Sequence, residues 1–364
     1  MSQDRSEILE GLGPARRFAD PSGPVEGRLM AASGALPMPP PQLVSVLFAL
    51  TLDSEPRVAE KATDSLRALP DRVADAALAA KLHPAALAAL AELYKGSQAR
   101  LEKIALNPAT SDETCVWLAA QPHPRVVDIL AQNQVRILRC EKLVEALGEN
   151  PLTGMATIDR ILHFLGVERG QHEEPEPEKK SDVPVPPPPD ANPDAPPPVD
   201  LNDTRGMDAE LTEETEKELD DDEKAERSRN IMARVGKMTI MEKMKLARMG
   251  NGDARALLVR DRNKLVAAAA IRNPKITDSE VENYSRSRQL SDEVIRIISN
   301  NRQWTRVYGV KLGLVMNPKC PPSTSIKFLN FLTDRDLGTL MRSRDVPGPI
   351  AVQARRILAR KGKS

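Results

Sequence analysis

The side chains best placed to do chemistry in this sequence are arginines and lysines near its end. The run NNRQWTRVY carries Arg302 and Arg306 on either side of Trp304, with Tyr308 following. The closing run QARRILARKGK carries Arg355, Arg356, Arg360 and Lys361. Arg302 and Arg306 stand four residues apart, so the spacing predicts that they share one helix face. Cationic groups gathered in this way hold phosphates or carboxylates and gain affinity by releasing counterions. The candidate chemistry is an electropositive surface for nucleic acid or for an acidic protein. A base-stacking platform needs more rings than this half of the chain has, so Trp304 and Tyr308 read as core.

The other reactive side chains point to less. None of the histidines His83, His123, His163 and His172 lies at a metal-ligand spacing. His83 and His123 precede prolines and read as helix-start residues. Cys115 and Cys140 fall on apolar helical faces and read as small core residues. Cys320, in NPKCPP, is the thiol that could be exposed, but nothing nearby supplies a base. The cysteines are odd in number and scattered, and no C-x-x-C occurs, which suits a reducing compartment. Phosphate-binding glycine motifs are absent, and Asp221-Asp222 lies in a run too polar to hold catalytic geometry. The expectation is no enzyme, no cofactor, no metal and no small-molecule substrate.

These residues need elements to position them, and charge divides the chain first. Net charge is −1 over residues 1–40, −3 over 41–168, −12 over 169–230 and +16 over 231–364, a segregation hidden by a total of zero. No apolar stretch approaches the ~18–20 residues of a membrane helix, and the start MSQDRSEILEGLG is not a secretory signal. A cytoplasmic location and no membrane partner are expected. From Pro41 onward, short segments of helical period alternate with breaks that place Pro at or near the next helix start, where its missing N–H costs nothing. Residues 175–198 hold eleven prolines, and the acidic run ELTEETEKELDDDEKAE follows. Neither can bury enough surface to offset ordering entropy, although a helix is expected from about Glu223 to Val235. Thr239 and Glu242 form a Thr-x-x-Glu capping box that opens the next helix, which Gly250 stops.

A repeat links the halves at an offset of about 167 residues. Asn107-Pro108 answers Asn273-Pro274, Asn133 answers Asn301, and Asn150-Pro151 answers Asn317-Pro318. Thr110 and Glu113 answer Thr277 and Glu280, each pair reading as a capping box. Pro disfavours the α region in the residue before it, so each Asn-Pro ends a helix, and Asn tolerates the left-handed cap conformation better than most residues.

The run from EKMKLARMGNGDARALLVRDRNKL to VMNPKCPP, with the earlier runs NPATSDET and NQVRILR, resembles an uncharacterised bacterial family of tandem helical repeats. More broadly it is similar to HEAT, armadillo and leucine-rich-variant solenoids. The resemblance covers both helical halves and none of the linker. It implies a solenoid fold and a scaffolding role, and it brings no catalytic residues. The metal cluster of one leucine-rich-variant relative needs clustered cysteines, which this sequence lacks.

The reading is an all-α chain with two α-solenoid (HEAT-like) domains related by internal duplication. Residues 1–40 are expected to be mostly disordered, 41–168 the first helical-repeat domain, 169–230 a disordered Pro-rich acidic linker, and 231–364 the basic second domain. The expected role is a non-catalytic scaffold or adaptor binding protein partners, with nucleic-acid binding through the basic domain as the alternative. The acidic linker could also fold back over the basic domain and compete with an outside ligand.

Overall fold

The computed structural model describes residues 8–168, 173, 209–212, 221–343 and 346–361, with the backbone alone for residues 209–210 and 221–225. Every regular element among them is helical, and the one extended pairing is an isolated β-bridge. None of these helices is long and apolar enough to cross a membrane. By internal contacts the chain divides into two units, which separate after Thr153. Most of residues 169–230, and with them the disordered-linker reading, lie outside the described residues.

The first unit contains α1 (Val25–Ala32), α2 (Pro40–Thr51), α3 (Pro56–Arg67), α4 (Asp71–Leu78), α5 (Pro84–Leu93) and α6 (Gln98–Leu106). It continues with α7 (Asp112–Ala119), α8 (Pro124–Leu130), α9 (Gln134–Arg139) and α10 (Glu141–Glu149). The second unit begins with α11 (Met155–Phe164), α12 (Ala209–Thr212), α13 (Asp221–Val235), α14 (Ile240–Met249), α15 (Gly252–Leu258) and α16 (Lys264–Ile271). It ends with α17 (Asp278–Arg286), α18 (Asp292–Asn300), α19 (Tyr308–Met316), α20 (Pro322–Leu329), α21 (Asp334–Arg342) and α22 (Gly348–Lys361).

Local sequence starts and stops these helices. Pro occupies the first turn of α2, α3, α5 and α8. Side-chain caps open others: Ser111 accepts from the Thr114 N–H, Asn133 from Arg136, and Thr333 from Asp336. Thr239 with Glu242, and Thr277 with Glu280, form complete capping boxes. His83 Nδ1 accepts from the Ala85 N–H at 3.2 Å, so this histidine caps α5.

Packing follows a regular order inside each unit. In the first, α2 packs on α4, α4 on α6, α6 on α8, and α7 on α10. In the second, α14 packs on α16, α16 on α18, α17 on α19, and α20 on α22. The interior is mainly Leu, Ile, Val and Ala, with Leu87, Leu101, Ile104, Leu118 and Leu147 fully buried. Each such leucine or isoleucine contributes about 1.5–3 kcal/mol of burial free energy. In α19, a Cβ at Gly313 would run into Ser285 and the Arg286 stem, so the close approach of α17 and α19 requires that glycine, whereas at Gly309 only the movable Glu282 carboxylate is met.

One contact recurs at the corners. Asn107 Nδ2 donates to the Leu78 and Ala80 carbonyls at 2.7 and 2.8 Å. Asn150 Nδ2 donates to Ala119 and Gln121 at 2.6 and 3.0 Å. Asn273 reaches Ala247 and Gly250 at 2.9 and 3.4 Å, and Asn317 reaches Ser285 and Ser287 at 2.9 and 3.0 Å. In each case Oδ1 accepts the N–H two residues on, at 2.8–3.0 Å. The four side chains are 1–4 % exposed and all their hydrogen-bonding groups are used. Each asparagine therefore ties the end of its own helix to the end of the helix stacked beside it: α6 to α4, α10 to α7, α16 to α14, and α19 to α17.

Several expectations are corrected here. The corner asparagines are extended, not left-handed; Asn107 has φ −70° and ψ 124°, and no residue other than glycine has positive φ among the described residues. Asparagine is needed for its amide, which clamps the neighbouring helix. Thr110 is not a cap. Ser111 caps α7, while buried Thr110 donates to the Ile104 carbonyl at 2.6 Å, as Thr153 does to Leu147. Cys320, at the corresponding place in its own corner, is buried rather than exposed.

Residues 8–40 are also better ordered than their composition suggested. Ile8, Leu9, Leu12, Ala31 and Ala32 join Val46, Phe48 and Leu50 in one apolar cluster. Gly13 and Gly34 supply positive φ at stops between short elements. Buried Arg28 pairs with Asp53 at 3.1 Å and fixes α1 beside the turn after α2. The unit boundary falls after Thr153 rather than at Glu168, because α11 packs on α16 of the second unit.

The corners give a direct test. Asn150→Ala and Asn317→Ala each remove two donated hydrogen bonds, although the Gln121 carbonyl keeps the His123 N–H, and should lower unfolding stability by about 2–4 kcal/mol. Asn→Asp should be no better, since a carboxylate cannot donate. Ser111→Ala should cost only about 1 kcal/mol. Denaturant unfolding followed by circular dichroism checks the order.

Candidate functional site

The basic residues singled out above are all exposed, but they do not form the face expected of them. Arg302 lies in a turn after α18 and Arg306 ends a 3-10 segment, Trp304–Arg306, so no single α-helix face carries both. The cause is Asn301, whose Oδ1 accepts the N–H groups of Gln303 and Trp304 and tightens the chain into a turn. Trp304 is buried as expected. Tyr308 is exposed, with its hydroxyl donating to Asp336 and so holding that carboxyl below its usual range, helped by Thr333.

Arg355, Arg356, Arg360 and Lys361 are carried by α22. This helix packs on α20 and α21 through Ile350 and Ala354, with Ile357 and Leu358 partly covered. Val352 is half exposed and does not belong to the packed stripe. Lys361 pairs with Asp334 at 2.9 Å. The six basic residues therefore sit on two separate elements.

All three cysteine thiols are raised by burial. Burial pushes the Cys115 thiol up to about 12, with Arg136 opposing, and pushes Cys140 and Cys320 up as well. Arg136, itself buried, donates to Cys115 Sγ at 3.0 Å, to Asp112 at 2.9 Å and to the Thr110 carbonyl at 2.6 Å. That network braces the first corner. His123 Nε2 lies 2.8 Å from the Lys95 carbonyl and His163 is exposed. Among the described residues, no three His, Cys, Asp or Glu side chains gather as a metal site.

A different arginine makes the best-formed site, inside the second unit. Arg272 caps the C-terminal end of α16, directly before Asn273, and its side chain is only 1 % exposed. Its Nε donates to Glu173 Oε2 at 3.1 Å, and its Nη2 donates to Glu173 Oε1 at 2.5 Å and to Asp159 Oδ1 at 2.6 Å. Asp159 comes from α11. Glu173 belongs to the acidic segment, and its backbone forms an antiparallel bridge with Asn301. Arg272 Nη1 is buried and has no partner among the described residues. Burial alone would pull this guanidinium down; the hydrogen bonds and charge of Glu173, then Asp159, reverse that and hold it above its usual range.

Arg272 and Glu173 line a cleft of about 450 Å³, with Asp159 behind the guanidinium rather than in the lining. Val167, Ile276 and Trp304 supply apolar wall, and Glu168, Arg248 and Asp278 supply charge. The Arg248 guanidinium donates to the Gly166 carbonyl. Gln303 and Trp304 line the cleft, whereas Arg302 and Arg306 do not.

Comparison with protein-family models, with curated proteins and with solved structures gives no match. The assignment therefore rests on the chemistry of the cleft. A buried arginine with a two-point grip on a glutamate, beside a backbone pairing position, can hold an extended peptide.

Sequence inspection passed over all three charged residues. Arg272 did leave a signal: it is the single charge at the end of KLVAAAAIR, a helix buried from Leu265 to Ile271. A cation there must find carboxylates. Asp159 and Glu173 left none, because the contact joins residues 99 and 113 positions distant from Arg272.

Arg272→Met would strand two buried carboxylates and should cost about 3–5 kcal/mol at neutral pH. Chemical denaturation reads this. A second test concerns Tyr284, whose buried hydroxyl has no partner among the described residues and is pushed up to about 12 by burial. Stability is insensitive to this group below pH ~10 and falls as pH rises from there toward 12, because the unfolded chain gives up the proton first. Tyr284→Phe should flatten the alkaline loss and raise stability at pH 7 by about 1 kcal/mol.

Proposed function

We propose that this chain is a non-catalytic adaptor that binds protein partners through its helical units, and that the second unit takes an extended segment of the partner in the Arg272 cleft. The observation that carries this is Glu173, which lies in the cleft with its backbone bridged to Asn301 and its carboxylate gripped by Arg272. Peptides that bind in this mode draw affinity from main-chain hydrogen bonds and selectivity from one or two side-chain anchors. The ordered stacking of neighbouring helices supports reading both units as α-solenoids of a HEAT-like kind. The common geometry of the asparagine corners supports descent of the two from one duplicated unit. Two binding units on one chain would raise each other's effective concentration on a shared target.

The exposed Arg302, Arg306, Arg355 and Arg356 favour a second reading, in which the basic surface binds nucleic acid. Selection of peptides from a random displayed library on the full-length chain separates the two. The adaptor reading expects an enriched peptide family whose binding survives physiological salt. Retention on duplex DNA and heparin with a steep salt dependence, and no enriched peptide, would replace it with the second reading.

A further inference from the structure

We propose that the Arg272 cleft recognises an extended partner segment by a single glutamate, and that Glu173 occupies the cleft in cis as a built-in competitor. The proposal rests on the protein-binding reading above and gives that site its ligand chemistry and its regulation.

Glu173 shows the binding mode in this chain. Its carboxylate takes the Nε–Nη2 edge of Arg272, a two-point contact that an ammonium could not offer and that suits a planar carboxylate. Its one backbone bridge to Asn301 is antiparallel, which gives the direction in which a ligand bound in the same way would run. The grip is incomplete. Arg272 Nη1 lacks a partner among the described residues, so a ligand with one more acceptor gains a bond that Glu173 does not make. The cleft also has room: its volume of about 450 Å³ is measured with Glu173 forming part of the wall. Side chains flanking the glutamate can fill it, against Trp304 and Ile276.

The same cleft argues against an acidic tract or a phosphate as ligand. Asp159 already shares Arg272 Nη2, and Glu168 and Asp278 line the cleft, so additional negative charge is repelled. One carboxylate is accommodated, and the specificity beyond it comes from backbone pairing and apolar contact. This differs from an acidic segment lying over a basic face, in which total charge would decide affinity.

The test uses the full-length chain with and without Glu173→Ala, and a capped, fluorescein-labelled peptide of residues 169–177 read by anisotropy. The peptide should bind the Glu173→Ala chain about tenfold or more tightly than the unaltered chain, because the internal competitor is gone. A peptide carrying Glu173→Gln should bind the Glu173→Ala chain at least about tenfold more weakly than the parent peptide. That comparison alters only the ligand, so folding of the protein does not enter. Equal affinity for both chains, equal binding of the Gln peptide, or stronger binding of an oligoglutamate peptide would each overturn the proposal. Library peptides that lack glutamate and bind both chains alike would overturn it while leaving the adaptor reading intact; failure of the library to yield any peptide would remove both.

Discussion

The structure depends on a buried primary amide with both its hydrogens committed to carbonyls of another helix. A helix leaves its last carbonyls unpaired, and in an array of short helices these ends come together at the corners, out of reach of water. Asparagines 107, 150, 273 and 317 meet that need from the side, each donating to two carbonyls of the helix stacked alongside. The same residue ends its own helix, because Pro follows it. One side chain thus terminates a helix, sets the turn through its Oδ1, and fixes the spacing to the neighbour. Glutamine would be too long and aspartate could not donate, so the position accepts little else.

Corner geometry also explains where the site lies. The backbone after α16 is held by Asn273, and the backbone after α18 turns about Asn301. Arg272 is the residue immediately before the first of these, and Asn301 supplies the pairing edge for Glu173. The arginine is therefore positioned by an element whose own conformation is over-determined.

What the sequence disclosed and what it hid divide along the range of the interaction. Helix starts were legible, since Pro at the first turn and Thr239-x-x-Glu242 act within a few residues. So was the importance of the Asn-Pro pairs, though not their mechanism: the carbonyls they clamp lie 23–32 residues earlier, and nothing local marks them. Over residues 8–40 Gly and Pro read as disorder in the sequence, whereas Gly13 and Gly34 separate short pieces whose Ile8, Leu12 and Ala31 still join a core. Arg302 and Arg306 misled because a four-residue spacing means a shared face only if the helix exists, and the Asn301 turn breaks it.

The Arg272 triad also carries a thermodynamic argument about how tight a partner must be. One arginine facing Asp159 and Glu173 is short by one positive charge, so the second carboxylate is held less firmly than a balanced pair would hold it. Glu173 is favoured nonetheless by its covalent proximity: only residues 169–172 separate it from Glu168, which lines the cleft. A short tether gives an effective concentration on the order of millimolar. A free ligand making only the same contacts would need to approach that concentration to displace it. A partner at cellular concentrations must therefore gain several kcal/mol elsewhere, about 1.4 for each tenfold. The unused Nη1, the apolar wall at Trp304 and the unfilled volume are where that gain is available. On the proposed adaptor role, such a cleft would exclude chance carboxylates and admit a segment that matches it beyond its anchor.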